Sequence, residues 1–288
     1  MSADSVIHDI GYRRYEGARL GRGYIVRSLY LHSMRTAFGI GRGAKAKIFP
    51  WLVIGIVAVV AIVAIAVRSI TGEALTTYLD FAQSMSFPVM LFLAAVAPEL
   101  VSRDLRDGAL PLYFSRPVRR HEYPLVKFAA LISAVFLLLG APQLLLYIGS
   151  AFTREDGLSG AWREFQDLLP GLGAAGIYAL SLAGLALLVA SLTGRRAFAA
   201  AGIVGVFLLT APIAGIMIGI GGVDSLLAKL AFLVNPVMLL ERLTDWLFAT
   251  VDSEIPLGGF GPVYLGGAIV LILGCVALLL LRYRKVAS

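Results

Sequence analysis

Charge is scarce in this chain. Only 15% of its 288 residues are Asp, Glu, Lys or Arg, whereas 59% are hydrophobic. Soluble domains carry about 25% charged and 45–50% apolar residues. Disorder and an ordinary soluble enzyme are therefore both disfavoured. Cysteine is almost absent too. Cys275 stands alone, which excludes an internal disulfide framework and a multi-cysteine metal site. Inside its apolar run it reads as a small hydrophobe. The only asparagine, Asn235, precedes a proline, so there is no glycosylation sequon. The three histidines, His8, His32 and His121, are scattered, and no metal site is expected. The first 47 residues are polar and basic, so no secretory signal peptide is expected. No Gly-x-x-x-x-Gly-Lys-[Ser/Thr], His-Glu-x-x-His, Cys-x-x-Cys or Gly-x-Ser-x-Gly occurs. No nucleotide site and no catalytic residue are expected in this chain.

The net charge of +7 is ambiguous by itself. It suits nucleic acid or a membrane protein with basic cytoplasmic loops. The placement of charge decides. Six long runs contain no Asp, Glu, Lys or Arg: 48–67, 81–98, 128–153, 168–194, 197–223 and 255–281. They make up about half the chain, and a membrane-crossing helix needs about 20 apolar residues. The expected fold class is thus an all-α integral membrane protein with six transmembrane helices. The spans are placed at about 48–67, 78–98, 128–152, 171–194, 197–221 and 259–281, in one domain of residues 48–288 that follows a segment of residues 1–47. Pro142 and Pro212 within runs three and five predict kinks. Gly215-Ile-Met-Ile-Gly219 and Gly171-Leu-Gly-Ala-Ala-Gly176 would let helices approach closely.

With the N-terminus placed inside, 20 of the 25 Lys and Arg residues fall on the inner side, and 11 of the 18 acidic residues fall on the outer side. The positive-inside rule therefore predicts that both termini are cytoplasmic. The basic surplus then serves topology, and no nucleic-acid partner is expected.

Three segments outside the runs have character of their own. Within 24–38, Ile25, Val26, Leu29, Tyr30, Met34, Ala37 and Phe38 recur at helical spacing, with Arg27, His32 and Arg35 on the other face. This predicts a basic amphipathic helix along the cytoplasmic membrane surface, an elbow leading into span one. The loop 99–127 mixes both signs of charge with Leu105, Leu110, Leu112, Tyr113 and Phe114. A solvated turn does not need those apolar residues, but a short helix docking on a partner does. Residues 224–250 are too apolar for an open loop. They predict two short helices broken at Asn235-Pro236, each too short to cross, either re-entrant or interfacial, with Trp246 suited to a membrane interface.

The runs lack the carboxylates that ion-coupled transporters place at membrane depth. An intramembrane enzyme would need acids, bases or nucleophiles there as well. Gln83, Ser84, Gln143, Tyr147, Tyr178 and Thr210 are the residues that could line a path for an amphiphile, or could serve as hydrogen-bond partners between helices.

The whole pattern resembles the permease subunit of a bacterial ABC-2-type transporter with the type V exporter fold. The stretch from Pro98-Glu-Leu-Val-Ser-Arg-Asp to Tyr113-Phe-Ser-Arg-Pro117 is similar to the family's E-x-x-x-x-D-x-x-x-G-x-x-x-x-x-x-S-x-P, here with Arg116 between Ser115 and Pro117. His8-Asp-Ile-Gly-Tyr-Arg-Arg-Tyr-Glu-Gly17 resembles actinobacterial members. The resemblance implies a bacterial plasma-membrane protein that pairs with a second permease, identical or homologous. Two separate cytoplasmic ATPase subunits would bind ATP and Mg, and this chain would bind no cofactor itself. The 99–127 loop would form the coupling helix, with Glu99, Arg103, Asp104, Arg106, Asp107, Tyr113, Arg116 and Arg119 as contacts to the ATPase. The activity implied is export of an amphiphilic or hydrophobic substrate by alternating access. The competing reading is a membrane assembly or sensor protein, or an intramembrane enzyme, without an ATPase partner.

Overall fold

The computed structural model describes residues 20–41, 43–108, 113, 119–153, 157–222, 225–248 and 258–286. Among the described residues there are helices and turns but no strand. Six helical stretches are long and apolar enough to cross a membrane: Lys47–Thr71, Ser86–Arg106, Glu122–Ala151, Gly157–Ser191, Arg196–Gly221 and Gly261–Arg284. Each overlaps one of the charge-free runs, with shifted ends.

Helix α1 (Arg22–Ala37) packs on the bundle through Leu29, Ser33 and Ala37 and exposes Arg27, His32 and Arg35. The division follows the 3.6-residue period of the sequence. The Ser33 hydroxyl donates to the Leu29 carbonyl at 2.7 Å, and Tyr30 reaches Ser133 at 2.8 Å. Helix α2 (Ala44–Thr71) ends on Gly72, whose φ of +77° is left-handed and whose N–H donates to the Arg68 carbonyl. Glycine adopts that conformation without a Cβ penalty.

The second crossing is jointed. Helix α3 (Tyr78–Ser84) meets α4 (Ser86–Leu100) at Met85, across which the backbone hydrogen bonds continue. A second joint at Val101 leads into α5 (Ser102–Arg106). Then come α6 (Glu122–Thr153), α7 (Gly157–Ser191) and α8 (Arg196–Gly221). The third and fourth helices begin well before their apolar runs, which were expected at about 128 and 171. Hydropathy stops at the first charge, but a helix continues wherever its charged side chains find partners, as those of Glu122, Lys127 and Glu164 do.

Two short helices, α9 (Leu226–Ala231) and α10 (Pro236–Phe248), precede a 3-10 turn (Gly258–Phe260) and α11 (Gly261–Val286). Pro236 starts α10 rather than merely stopping its predecessor, since a first-turn position needs no N–H. Asn235 accounts for the join. Its Oδ1 accepts from the N–H groups of Val237 and Met238 at 2.9 and 3.1 Å. Its Nδ2 donates to Phe207 O and Thr210 Oγ1 on α8 at 3.1 and 2.8 Å.

Helix α7 stands at the centre, against α3, α4, α6, α8, α10 and α11. Its buried residues include Gly171, Ala174, Ala175, Ala179, Ala183, Gly184, Ala186 and Ala190. Small side chains let neighbouring backbones come close, which is how helices associate where lipid supplies no hydrophobic drive. By contrast α2, α8 and α11 present most of their apolar surface outward, Leu208, Leu209, Ile213 and Ile216 among it. Such faces match acyl chains.

Candidate functional site

The end of the bundle where α1 begins and α11 ends holds the densest set of charges among the described residues. Gly108, with φ of +63°, ends the α4–α5 arm. Three spans grip that arm. Ser102 is fully buried and donates its hydroxyl to the Ala190 carbonyl of α7 at 2.7 Å. Asp104 accepts from Lys127 Nζ at 3.1 Å and from the Tyr123 hydroxyl at 2.5 Å, both on α6. Glu99 pairs with Arg196 at the start of α8. The ring of Tyr123 lies between those of Tyr113 and Tyr283, each 5.3 Å away. Arg282 of α11 closes the end of α7 by donating to the carbonyls of Ser191 and Leu192, the partners that a helix C-terminus lacks.

The far side of the same five-residue helix is open. Arg103, Arg106 and Asp107 are about half exposed. Asp107 accepts from Arg106 at 3.0 Å and Arg103 at 3.4 Å. The Arg106 guanidinium holds its carboxyl below the usual carboxylate range, despite an opposing desolvation effect. The helix thus offers a fixed pattern of two cations and one anion on a rigid mount. Beside it lies a polar cleft of about 830 Å³, lined by His32 and Arg35 of α1, by Glu99, Arg103 and Asp107, and by Arg196. Arg119 is exposed and its N–H caps Glu122 at 2.8 Å, while Glu122 binds Arg22 of α1. Seven of the eight residues expected in this group are therefore described. Arg116 lies outside the described residues.

The six polar residues of the spans do not gather in one place. Gln83 donates to Asp245 Oδ1 at 2.7 Å and Thr244 Oγ1 at 3.1 Å, which ties α3 to α10. Thr210 accepts from Asn235. Ser84 is exposed and donates to the Phe81 carbonyl. Tyr147 packs against Phe165. Gln143 and Tyr178 are fully buried, and their polar side-chain atoms make no hydrogen bond among the described residues.

Two clusters escaped the sequence reading. At the end of the bundle away from α5, Arg68, Glu164, Tyr78 and Ser150 join four helices. These residues lie too far apart in sequence for any local pattern to link them. On α10, Glu241 is partly buried beside Arg242 and Asp245. Burial pushes its carboxyl up to about 7, Arg242 pulls it down and Asp245 raises it further. The Arg242 charge is largely engaged elsewhere, 3.6 Å from Asp245 and 4.7 Å from the Phe232 ring centre.

A pH dependence follows. The folded-state pKa lies above the unfolded carboxylate value, so this group's stabilising contribution is complete below the unfolded value. It is lost as pH rises towards 7. Thermal unfolding in detergent at pH 5 and pH 8 should show the wild type losing more stability than Glu241→Gln across that window. The two should separate by about 2–4 °C for each kcal/mol involved. Parallel pH profiles would refute the assignment.

Compared with known proteins, the chain matches no family model and no curated protein.

Proposed function

We propose that this chain is the membrane-spanning subunit of an ATP-driven transporter of the ABC-2 kind, with ATP hydrolysed by separate cytoplasmic subunits. The observation that carries the reading is α5. The α4–α5 arm, bonded to α6 and α7 through α5 and to α8 through Glu99, presents Arg103, Arg106 and Asp107 outward. A force applied there reaches α6 and α7 through buried bonds, and α8 through the partly exposed Glu99–Arg196 pair, rather than through a flexible loop. In this reading the charged face of α5 docks on the ATPase, and Tyr113 and Arg119 flank it. Helix α1 acts as the elbow on the cytoplasmic leaflet, and the α9–α10 pair caps the outer end. The exported substrate is amphiphilic or hydrophobic, since the charge-free runs that form the middles of the spans offer no group to select an ion.

Charge reversal tests this. The double variant Arg106→Glu with Asp107→Lys alters exposed groups only, so membrane insertion should be unaffected. Affinity capture of the wild type should recover a P-loop ATPase, and the double variant should lose transport-linked ATP hydrolysis by about tenfold or more, as expected when docked charges meet like charges. Unchanged hydrolysis, or a purified wild type that never brings down an ATPase, refutes the reading.

A further inference from the structure

A cavity of about 270 Å³ opens at the end of the bundle away from α5, between the ends of α2 and α6, the start of α3, and α7. It has a charged side and an apolar side. On the charged side Arg68 donates to both Glu164 oxygens, at 2.8 and 2.9 Å, and to Ser150 Oγ at 2.7 Å. That uses three of its N–H groups, and a guanidinium carries five. One turn along α7 from Glu164, Asp167 also lines the cavity. It is exposed, and its carboxylate lies near enough to Arg68 to act on the guanidinium through space. Leu75, Leu79, Leu146 and Phe248 form the apolar side.

The level matters as much as the lining. The first span covers 25 residues, about 37 Å of helix. The hydrocarbon core is about 30 Å thick, so Arg68, three residues before the end of α2, reaches headgroup depth. The exposed Trp162, stacked on Phe165, sits nearby on α7, as aromatic residues do at a membrane interface.

We propose that this cavity seats the headgroup of an aminophospholipid from the leaflet at that face. The spare N–H groups of Arg68 take the phosphate, and Asp167 takes the primary ammonium. The first methylenes of the lipid lie along Leu75, Leu79 and Phe248. With Arg68 and Glu164 neutralising each other, Asp167 leaves the cavity net negative, which works against a purely anionic headgroup. A quaternary ammonium has no N–H to donate, so Asp167 distinguishes it from a primary amine. The site needs no ATPase and stands whether or not the transporter reading does.

Native mass spectrometry of the purified chain with an equimolar mixture of phosphatidylethanolamine, phosphatidylcholine and phosphatidylglycerol, matched in acyl chains, tests the proposal. Phosphatidylethanolamine adducts should dominate. Asp167→Asn, at an exposed position, should reduce that preference about tenfold, the worth of one charge-assisted hydrogen bond. Ala74→Trp, which fills the mouth from an exposed position, should remove the adducts while both variants stay monodisperse and unfold at the wild-type temperature. Equal binding of the three lipids, dominance of phosphatidylglycerol, or an undiminished preference in Asp167→Asn would overturn it.

Discussion

Replacing Glu164 with alanine is expected to destabilise the protein by about 3–5 kcal/mol, the usual cost of stranding one member of a buried ion pair. Glu164 is only 2% exposed and Arg68 16%. The carboxylate receives two guanidinium N–H groups and the Tyr78 hydroxyl, the latter at 2.7 Å. Without it, Arg68 keeps only Ser150 as a hydrogen-bond partner and Asp167 as a more distant charge, and the Tyr78 hydroxyl loses its carboxylate acceptor. Glu164→Gln retains an acceptor and should cost less. The double variant Arg68→Met with Glu164→Leu removes both charges and should recover most of the loss, because neither is then left unpaired. Unfolding titrations in mixed micelles measure each value. Single variants that each cost under about 1 kcal/mol would mean that the pair behaves as a solvated surface bridge, and the view of it as the clamp on α2, α3, α6 and α7 would fail.

That clamp also shows where reading the sequence stops. The six long apolar helices were legible because a charge-free run of about 20 residues has the length and composition of a membrane-crossing helix. The hairpin before the last crossing was legible because Asn235-Pro236 splits an apolar stretch. Arg68 and Glu164 read only as markers of membrane side, since no periodicity joins residues from the first and fourth spans. The charges of the 99–127 segment were conspicuous as a group, but composition does not say which of them turn inward. Glu99 and Asp104 are bound by Arg196 and Lys127 within the chain, whereas Arg103, Arg106 and Asp107 face out. The difference is set by α5, whose turn places Ser102 and Asp104 towards α7 and α6 and packs Leu105 on the core, while Arg103 and Arg106 face solvent. Gln83 and Thr210 looked alike as span polar groups, and both bind the short helices of the hairpin.

The glycines of α7 give the second large effect, and they separate packing from propensity. Gly171, Gly173 and Gly176 cannot be told apart in sequence. A Cβ on Gly171 would lie 2.4 Å from Gln143 Oε1, 2.5 Å from Tyr78 Cβ and 2.9 Å from the Tyr78 carbonyl carbon. The amide could swing away, but the α3 backbone cannot without moving the whole helix. A Cβ on Gly176 would meet nothing within 4 Å. Gly171→Ala should therefore cost about 1–3 kcal/mol by overpacking, and Gly171→Leu more. Part of that loss should come through Tyr78, because pushing α3 outward draws its hydroxyl off Glu164. Gly176→Ala should be neutral or stabilising by up to about 1 kcal/mol, the helix-propensity gain over glycine. The same micelle titration compares all three. In the Glu164→Gln background the cost of Gly171→Ala should shrink, since the bond it disturbs is already weakened and neighbouring sites couple. Equal costs at 171 and 176 would show that the close approach of α3 to α7 is not what holds this end of the bundle together.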